Sequence, residues 1–325
     1  MSAAVAHVER VLAAVSSSAA ARSRLAASWQ RSFHKYGLDP ARSRRLATPD
    51  HDRLRDRREE LGALLAVAAG RLDDLHAMVG HCGCGILLTD AEGLVIDSRV
   101  SSANAGTFGA WGLAPGSDWS EAAQGTNGIG TCLAERRAVT IHRDQHFLSR
   151  NTAMSCIDAP VFGAEGALVA ALDVSSARVD QTEGFNRLIE AMVTRVARQI
   201  ESDLFRAAFP RHRILLGNGD EPGGAALLAV DADGLVVGAT REARRQHGLA
   251  VEGALRPRPL VDLIGRDSGP AGLDRAERAE VICALARAGG NVSEAARSLG
   301  LGRATLYRRM KRLGIDEHRP AVEVQ

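Results

Sequence analysis

The sequence predicts an α+β chain, with an antiparallel sheet flanked by helices and then a C-terminal all-α unit. Three observations lead there. Two strand–turn–strand runs, Ile86–Ile96 and Ala153–Ser175, are each broken by a glycine-containing turn. A long amphipathic run follows, with Phe185, Leu188, Ile189, Met192, Val193, Val196, Ile200 and Leu204 on one helical face. Near the C-terminus, two short helical runs meet at Gly300.

Composition bounds the reading. A chain of 325 residues with 45% hydrophobic content can build two or three cored domains. The net charge is only +2, so any strong basicity is local. Lys35 and Lys311 are the only lysines, and arginine carries the rest of the positive charge. There is no run of eighteen apolar residues, and Met1–Ser18 lacks both a basic start and an unbroken apolar core. The expectation is a cytoplasmic protein with no membrane partner. Five cysteines without an export signal imply free thiols.

The elements follow in order. Residues 1–75 read as a helical segment. In it, Arg22–Ser32 is amphipathic and stops at Gly37-Leu38-Asp39-Pro40, and Leu61, Leu64, Leu65, Ala68, Leu72 and Leu75 keep helical spacing. Residues 76–206 read as the sheet domain. Its first hairpin turns at Asp90-Ala91-Glu92-Gly93, and its second at Gly163-Ala164-Glu165-Gly166. A helix over about 124–136 and a strand over 138–142 lie between the hairpins, and the long helix closes the domain. Residues 207–272 hold a weak repeat, since Asp231-Ala232-Asp233-Gly234-Leu235-Val236 echoes Asp90-Ala91-Glu92-Gly93-Leu94-Val95. A small PAS-like unit over 224–264 or ordinary turn chemistry would both account for it. Residues 265–272 read as a flexible linker. The all-α unit covers 273–316, and 317–325 is a polar tail.

The all-α unit carries the sharpest pattern. Val292, Ala295, Ala296 and Leu299 fall at i, i+3, i+4 and i+7, while Leu306, Met310 and Leu313 stripe the next helix. The opposite side offers Arg297, Arg303, Arg308, Arg309, Lys311 and Arg312, with no acid between Arg297 and Leu313. A helix with one buried face and one cationic face suits the DNA major groove. The run Gly290-Asn291-x-x-x-Ala295-Ala296-x-x-Leu299-Gly300-x-x-Arg303-x-Thr305-Leu306-Tyr307 resembles the helix-turn-helix of the Fis family over about residues 274–315. Gly302 departs from it by standing where a Ser or Asn N-cap is usual. The DNA-contacting set is Arg303, Ala304, Thr305, Tyr307, Arg308, Arg309 and Arg312. Arg303 is assigned to a base, because Arg to guanine is the commonest bidentate pairing, and Ala304 can meet only a thymine methyl. Thr305, Arg308, Arg309 and Arg312 are assigned to phosphates. One such module binds weakly, so a homodimer on a two-fold operator is expected.

A second resemblance covers roughly residues 20–210. Ser28-Trp29, Gly37-Leu38-Asp39-Pro40, Ser117-Asp118-Trp119-Ser120-Glu121, Gly125-Thr126-Asn127-Gly128-Ile129-Gly130-Thr131, His146-Phe147, Cys156-Ile157-Asp158-Ala159-Pro160 and Leu172-Asp173-Val174-Ser175 occur in this order. Together they resemble the GAF sensor of acetoin-catabolism-regulator-type transcription factors. The resemblance implies a GAF fold that senses a small-molecule effector and is coupled to the DNA reader. The candidate ligand-binding residues are Trp119, Thr126, Asn127, His146, Phe147 and Cys156. The glycine-rich loop could present N–H groups to an anion or carbonyl, or its polar side chains could serve only as caps.

Such factors usually carry a sigma-54-interacting AAA+ ATPase between sensor and reader. Neither lysine sits in a Walker A pattern, and the intervening stretch is too short for that domain. The reading is therefore a one-component regulator without ATPase activity, with RNA polymerase as a further candidate partner. No catalytic residue, metal or cofactor is assigned. Cys82-x-Cys84 is not a structural zinc spacing, and His142 and His146 begin on a strand rather than a helix face. Two alternatives stay open: a thiol redox enzyme or sensor using Cys84, Cys132 or Cys156, and an accessory partner of full-length sigma-54 activators.

Overall fold

The structure is a computed structural model describing residues 3–41, 49–176, 178, 181–217, 225–264 and 272–315. The expected tail, and the expected linker apart from Gly272, lie outside the described residues. The chain divides into two compact units, Met1–Leu263 and Ile264–Gln325.

The first unit opens with α1 (Ala3–Val15) and α2 (Arg24–Gln30). Ser23 caps α2, its side chain accepting from the Ala26 amide. A π-helical turn, Arg31–Lys35, continues α2, and the chain leaves it through Gly37 at φ +63°. Helix α3 (His51–Glu60) is capped by Asp50, and α4 (Gly62–Val79) follows.

The sheet domain contains β1 (Cys84–Thr89), β2 (Val95–Arg99), α5 (Ala105–Trp111), α6 (Glu121–Gln124), α7 (Gly128–Glu135), β3 (Val139–His142), β4 (Ser155–Phe162), β5 (Leu168–Ser176) and α8 (Glu183–Ala208). Its strand order is β2-β1-β5-β4-β3, antiparallel throughout. Strand alternation sends Ile86, Leu88, Ile157, Val161, Leu172 and Val174 to a core shared with α4 and α8. Leu87, Cys156 and Ala171 face the other way, into a core with Phe108, Trp119 and Ile129. Helix α4 runs past the expected boundary at residue 75, because its Leu64, Leu72, Leu75 and Val79 stripe lies in the sheet's own core.

The long helix is present as expected, with one exception. Ile189, Val193, Val196 and Ile200 are buried, but Leu188 is 58% exposed. Leu188 lies about 100° around the helix from Ile189, at the margin of the stripe.

Beyond α8 comes a second antiparallel sheet. It comprises β6 (Arg213–Leu216), β7 (Leu227–Val230), β8 (Leu235–Ala239) and β9 (Arg258–Pro259), in that spatial order. Helix α9 (Arg241–Gln246) packs on it, and α10 (Leu260–Ile264) follows β9. Strand β6 begins upstream of residue 224, so this sheet starts earlier than the hairpin pattern suggests. The sequence echo is also an echo of geometry. Asp90 Oδ1 accepts from the Glu92 and Leu94 amides, and Asp231 Oδ1 accepts from the Asp233 and Leu235 amides. Gly93 and Gly234 both take positive φ, which closes each turn.

The second unit is α11 (Leu273–Arg287), α12 (Val292–Ser298) and α13 (Arg303–Arg312). Asn291 caps α12, accepting from Ser293 and Glu294. Gly300 turns the chain at φ +63°, and Gly302 stands at the N-cap of α13 with no side chain to bond its first turn. Val281 and Ala284 of α11 close a core with Ala295, Ala296, Leu306, Met310 and Leu313.

Candidate functional site

Helix α13 turns Leu306 and Met310 inward, and this leaves Arg303, Ala304 and Arg308 exposed. The Arg303 guanidinium lies 5.6 Å from the centre of the Tyr307 ring, with Nη2 donating to Tyr307 Oη at 3.5 Å. This one-turn contact holds the arginine over the first turn of the helix. Arg309 and Arg312 are placed differently from their neighbours. Both reach back to Glu277 on α11, Arg309 at 2.7 Å, and Arg312 also lies 3.6 Å from Asp274. These two cations tie α13 to α11. The sequence pattern grouped them with Arg308 because Glu277 is distant in the chain.

In the sheet domain, α7 covers β4 and β5. Asn127 caps it: Oδ1 accepts from the Gly130 amide at 2.9 Å, and Nδ2 donates to Gly125 O at 2.8 Å. Gly128 presses on the sheet, where an added Cβ would stand 1.9 Å from Asp158 Oδ2 and 2.5 Å from Cys156 Cβ. Its amide bonds the Cys156 sulfur. The glycine-rich loop therefore spends these amides internally and packs α7 tightly on the strands.

Beneath α7 a buried polar chain crosses the sheet. His146 donates from Nδ1 to Arg143 O at 2.8 Å, which leaves Nε2 as an acceptor 3.4 Å from Cys156 Sγ. Ser175 Oγ lies 3.2 Å from that sulfur and 3.1 Å from Asp173 Oδ1. Asp158 faces Asp173 across the strand pair. Burial pushes Asp158 well above the usual carboxylate range and Asp173 up to about 7, and the neighbouring carboxylate lifts Asp158 further. The two carboxyl groups titrate as a coupled pair, so they take up and release protons together. Burial holds His146 neutral, down to about 4.

A second buried network docks the N-terminal helices. Glu121 Oε1 accepts from Ser28 Oγ at 2.6 Å and Thr131 Oγ1 at 3.0 Å. Arg31 adds a bidentate pair to Glu121 at 2.8 and 2.9 Å, which raises the pKa of its guanidinium. Thr126 joins through Ser28, 2.7 Å away.

The six expected ligand residues are all buried, but they do not form one wall. Trp119 lies in the core under α5 and α7, with Nε1 donating to Gly112 O at 2.8 Å. Phe147 packs with Val11, Val15 and Trp29 in a separate cluster. Thr126 faces the Ser28–Glu121 network, Asn127 caps α7, and only His146 and Cys156 meet directly. Ser28, Glu121, Asp158, Asp173 and Ser175 stand in the sequence motifs but, like Arg31, were not assigned to the site by sequence reasoning. A hydrophobic strand carrying a charged residue at an inward position is the signal that could have flagged Asp158 and Asp173. Cavities among the described residues lie elsewhere. One of about 360 Å³ is lined from the turn after α7, β4, α8 and α9, and one of about 130 Å³ lies beside α2 and β3.

The thiols are poorly placed for nucleophilic chemistry. Cys84, Cys132 and Cys156 are buried, and burial pushes Cys84 up to about 11 and the other two well above the usual thiol value. Among the described residues no group of three or more His, Cys, Asp or Glu side chains could hold a metal ion, and no helix is long and apolar enough to cross a membrane.

Comparison with known proteins matches the GAF domain to residues 63–204, and "Bacterial regulatory protein, Fis family" to residues 272–313. The acetoin catabolism regulatory protein of Cupriavidus necator is 33% identical over 243 residues, which span 74% of this chain and 36% of that protein. A signal-transduction and transcriptional-control protein of Clostridium beijerinckii is 26% identical over 116 residues, 36% of this chain and 18% of that protein. The chain thus spans roughly a third or less of the length of these curated relatives. Among solved structures, that of the E. coli DhaR(N)–DhaL complex matches with a TM-score of 0.51 at 18% identity, covering 78% of this chain and 85% of that one. That likeness is one of fold.

Proposed function

We infer, from a chain that carries a GAF domain and a Fis-family helix-turn-helix and is homologous to the acetoin catabolism regulatory protein, that this protein regulates transcription. The observation that carries the reading is α13, apolar on its Leu306–Met310 face and cationic at exposed Arg303 and Arg308. Arg303 reads a base edge and Arg308 meets phosphate. Thr305 supports the phosphate contacts, and Ala304 and Tyr307 complete the surface against the groove. Two copies act together on a two-fold operator.

The GAF domain senses a small metabolite on the α7 side of its sheet. The buried oxygens Asp158 Oδ1, Asp158 Oδ2 and Asp173 Oδ2 have no hydrogen-bond donor from the rest of the chain. A polar effector would supply one by entering as α7 lifts from the strands, with Trp119, Thr126, Asn127, His146, Phe147 and Cys156 around its path. Binding would bias the output by favouring one arrangement of the α7 face over the other. Only residues 205–271 separate the two matched segments, and their sequence carries no Walker A pattern, which supports regulation without ATP hydrolysis.

The test is fluorescence anisotropy of the purified chain on DNA from its own upstream region and on scrambled DNA, at two salt concentrations. Arg303→Ala is expected to lose about 1–3 kcal/mol per half-site on the specific DNA and to relax sequence preference. Arg308→Ala should weaken both DNAs alike and flatten the salt dependence. Equal losses on both DNAs for both variants would remove the base contact from Arg303, and no binding to either DNA would sink the reading.

A further inference from the structure

Strand β3 is the last strand on its side of the sheet, and its outer edge carries one gap. Val139 stands opposite Asp158 and Ile141 opposite Cys156, and the Arg143 amide donates to Met154 O. The backbone groups of these odd-numbered residues therefore turn toward β4, and those of the residues between them turn away from the sheet. Side chains take up the outward groups at both ends. Gln145 Oε1 accepts from the His142 amide at 2.7 Å, and Arg137 Nη1 donates to Ala138 O at 3.0 Å. Between them, the N–H and C=O of Thr140 have no partner among the described residues. An unpaired N–H and C=O on a strand edge form a template for a further partner.

The cavity of about 130 Å³ opens at that gap, with Leu25, Val139 and Ile141 supplying apolar wall. Strand alternation turns the Thr140 side chain to the same face as Ala138, which packs on the core shared with α8. What Thr140 offers the cavity is therefore its main chain. Of the charged lining groups, Glu135 is already engaged, by Arg137 at 2.6 Å and Arg31 at 3.5 Å. Arg24, the first residue of α2, is exposed at the mouth and has no partner among the described residues. The volume limits the occupant. A cavity of about 150 Å³ holds one benzene ring, so this one takes a few heavy atoms.

We propose that this gap is a binding site for a small carboxylic acid with a hydrogen-bond donor, hydroxyl or ammonium, on its α carbon. In an antiparallel pair, each residue exchanges two bonds with the residue opposite, whose N–H and C=O flank a single carbon. An α-substituted acid repeats that arrangement. Its carboxylate accepts from the Thr140 amide, and its α hydroxyl or ammonium donates to Thr140 O. The second carboxylate oxygen is left for the Arg24 guanidinium. An occupant would fill the missing strand position and fasten α2 to the edge of the sheet. The site is separate from the Asp158–Asp173 pair and stands whether or not an effector enters beneath α7.

The test is isothermal titration of the purified chain with glycolate and, separately, with glycine, at constant ionic strength. Acetate serves as the acid without an α donor. Saturable binding of glycolate or glycine is expected, with acetate about tenfold weaker. Arg24→Ala, at an exposed position, should also weaken binding about tenfold. Thr140→Pro removes an outward N–H that makes no bond to β4, and should abolish binding while unfolding stays cooperative. If that variant does not fold, Arg24→Ala and acetate decide. Arg187→Ala, an exposed arginine of α8 paired with Glu183, should leave the affinity unchanged. Glycolate bound alone would mark a hydroxy-acid site, and glycine alone an amino-acid site; both support the proposal. Absence of saturable heat with both probes, acetate bound as tightly, or native affinity in Arg24→Ala would overturn the site.

Discussion

Asp158 and Asp173 stand directly opposite each other on adjacent strands, both buried, with Ser175 leaning on one and the backbone of Gly128 on the other. Two carboxyl groups so placed cannot both ionise at low cost, and the fold must keep a proton between them. Their folded-state pKa values are raised, so their contribution to stability is full below the ordinary carboxylate range. It is lost as pH rises, completely once pH passes about 7 for Asp173. His146, lowered to about 4, works in the opposite sense between there and its ordinary value. The pair is therefore isolated by comparison. Asp173→Asn keeps an oxygen for Ser175 but carries no charge. Relative to the native chain, it should gain on the order of 3 kcal/mol between pH 4 and pH 8 in urea denaturation. A difference that stays flat over that range would mean the carboxyls do not share a proton.

Glycine at position 128 is set by contact, not by backbone angle. Gly128→Ala should cost about 1–3 kcal/mol or more, because its methyl would collide with the Asp158 carboxyl and with Cys156 Cβ. Gly70→Ala is the counterpart. Gly70 lies inside α4 with nothing within 4 Å of the added methyl, so the change should stabilise by about 0.5–1 kcal/mol. Chemical denaturation midpoints decide both. A neutral Gly128→Ala would show that α7 already sits loosely on the sheet.

Docking of the N-terminal helices hangs on Glu121. Glu121→Ala leaves the partly buried Arg31 only the longer contact to Glu135 at 3.5 Å and leaves Ser28 and Thr131 without their shared acceptor. The expected loss is about 3–5 kcal/mol. Limited proteolysis should then cut within the first 40 residues well before the sheet domain is attacked. Cleavage at native rates would mean that the Val11, Val15, Trp29 and Phe147 cluster holds the helices without the ion pair.

Thiol reactivity should follow burial. Cys283, exposed on α11, should be alkylated first at neutral pH, and Cys84, Cys132 and Cys156 only after unfolding. Mass-resolved labelling gives the order. Fast modification of Cys156 in the folded chain would revive the thiol-redox alternative.

Glu277 restrains two cations of the DNA reader. Glu277→Gln should free Arg309 and leave Arg312 only Asp274 at 3.6 Å, strengthen binding to scrambled DNA and steepen its salt dependence. The cost should be modest, about 0.5–1 kcal/mol in the stability of the helical unit, because these pairs are partly exposed. Unchanged affinity for scrambled DNA would place both arginines away from the phosphates.

Much of this protein is local, and what is local was legible in the sequence. The hairpin turns at Asp90 and Asp231, the cap at Asn291, the turn at Gly300 and the Leu306–Met310 stripe each depend on residues within a few positions of one another. Turn chemistry, capping and helical periodicity act over those distances, and so a one-dimensional pattern records them. Matters decided between distant segments were not legible. That Arg309 answers to Glu277, that Glu121 gathers Ser28 and Arg31, and that Asp158 meets Asp173 all depend on which strand and helix faces meet. The cavity of about 360 Å³ is the extreme case, for it draws on the turn after α7, β4, α8 and α9. Charge pairing and burial are properties of space, and the chain order of these residues carries no trace of their distances; only the packing of the sheets and helices set them.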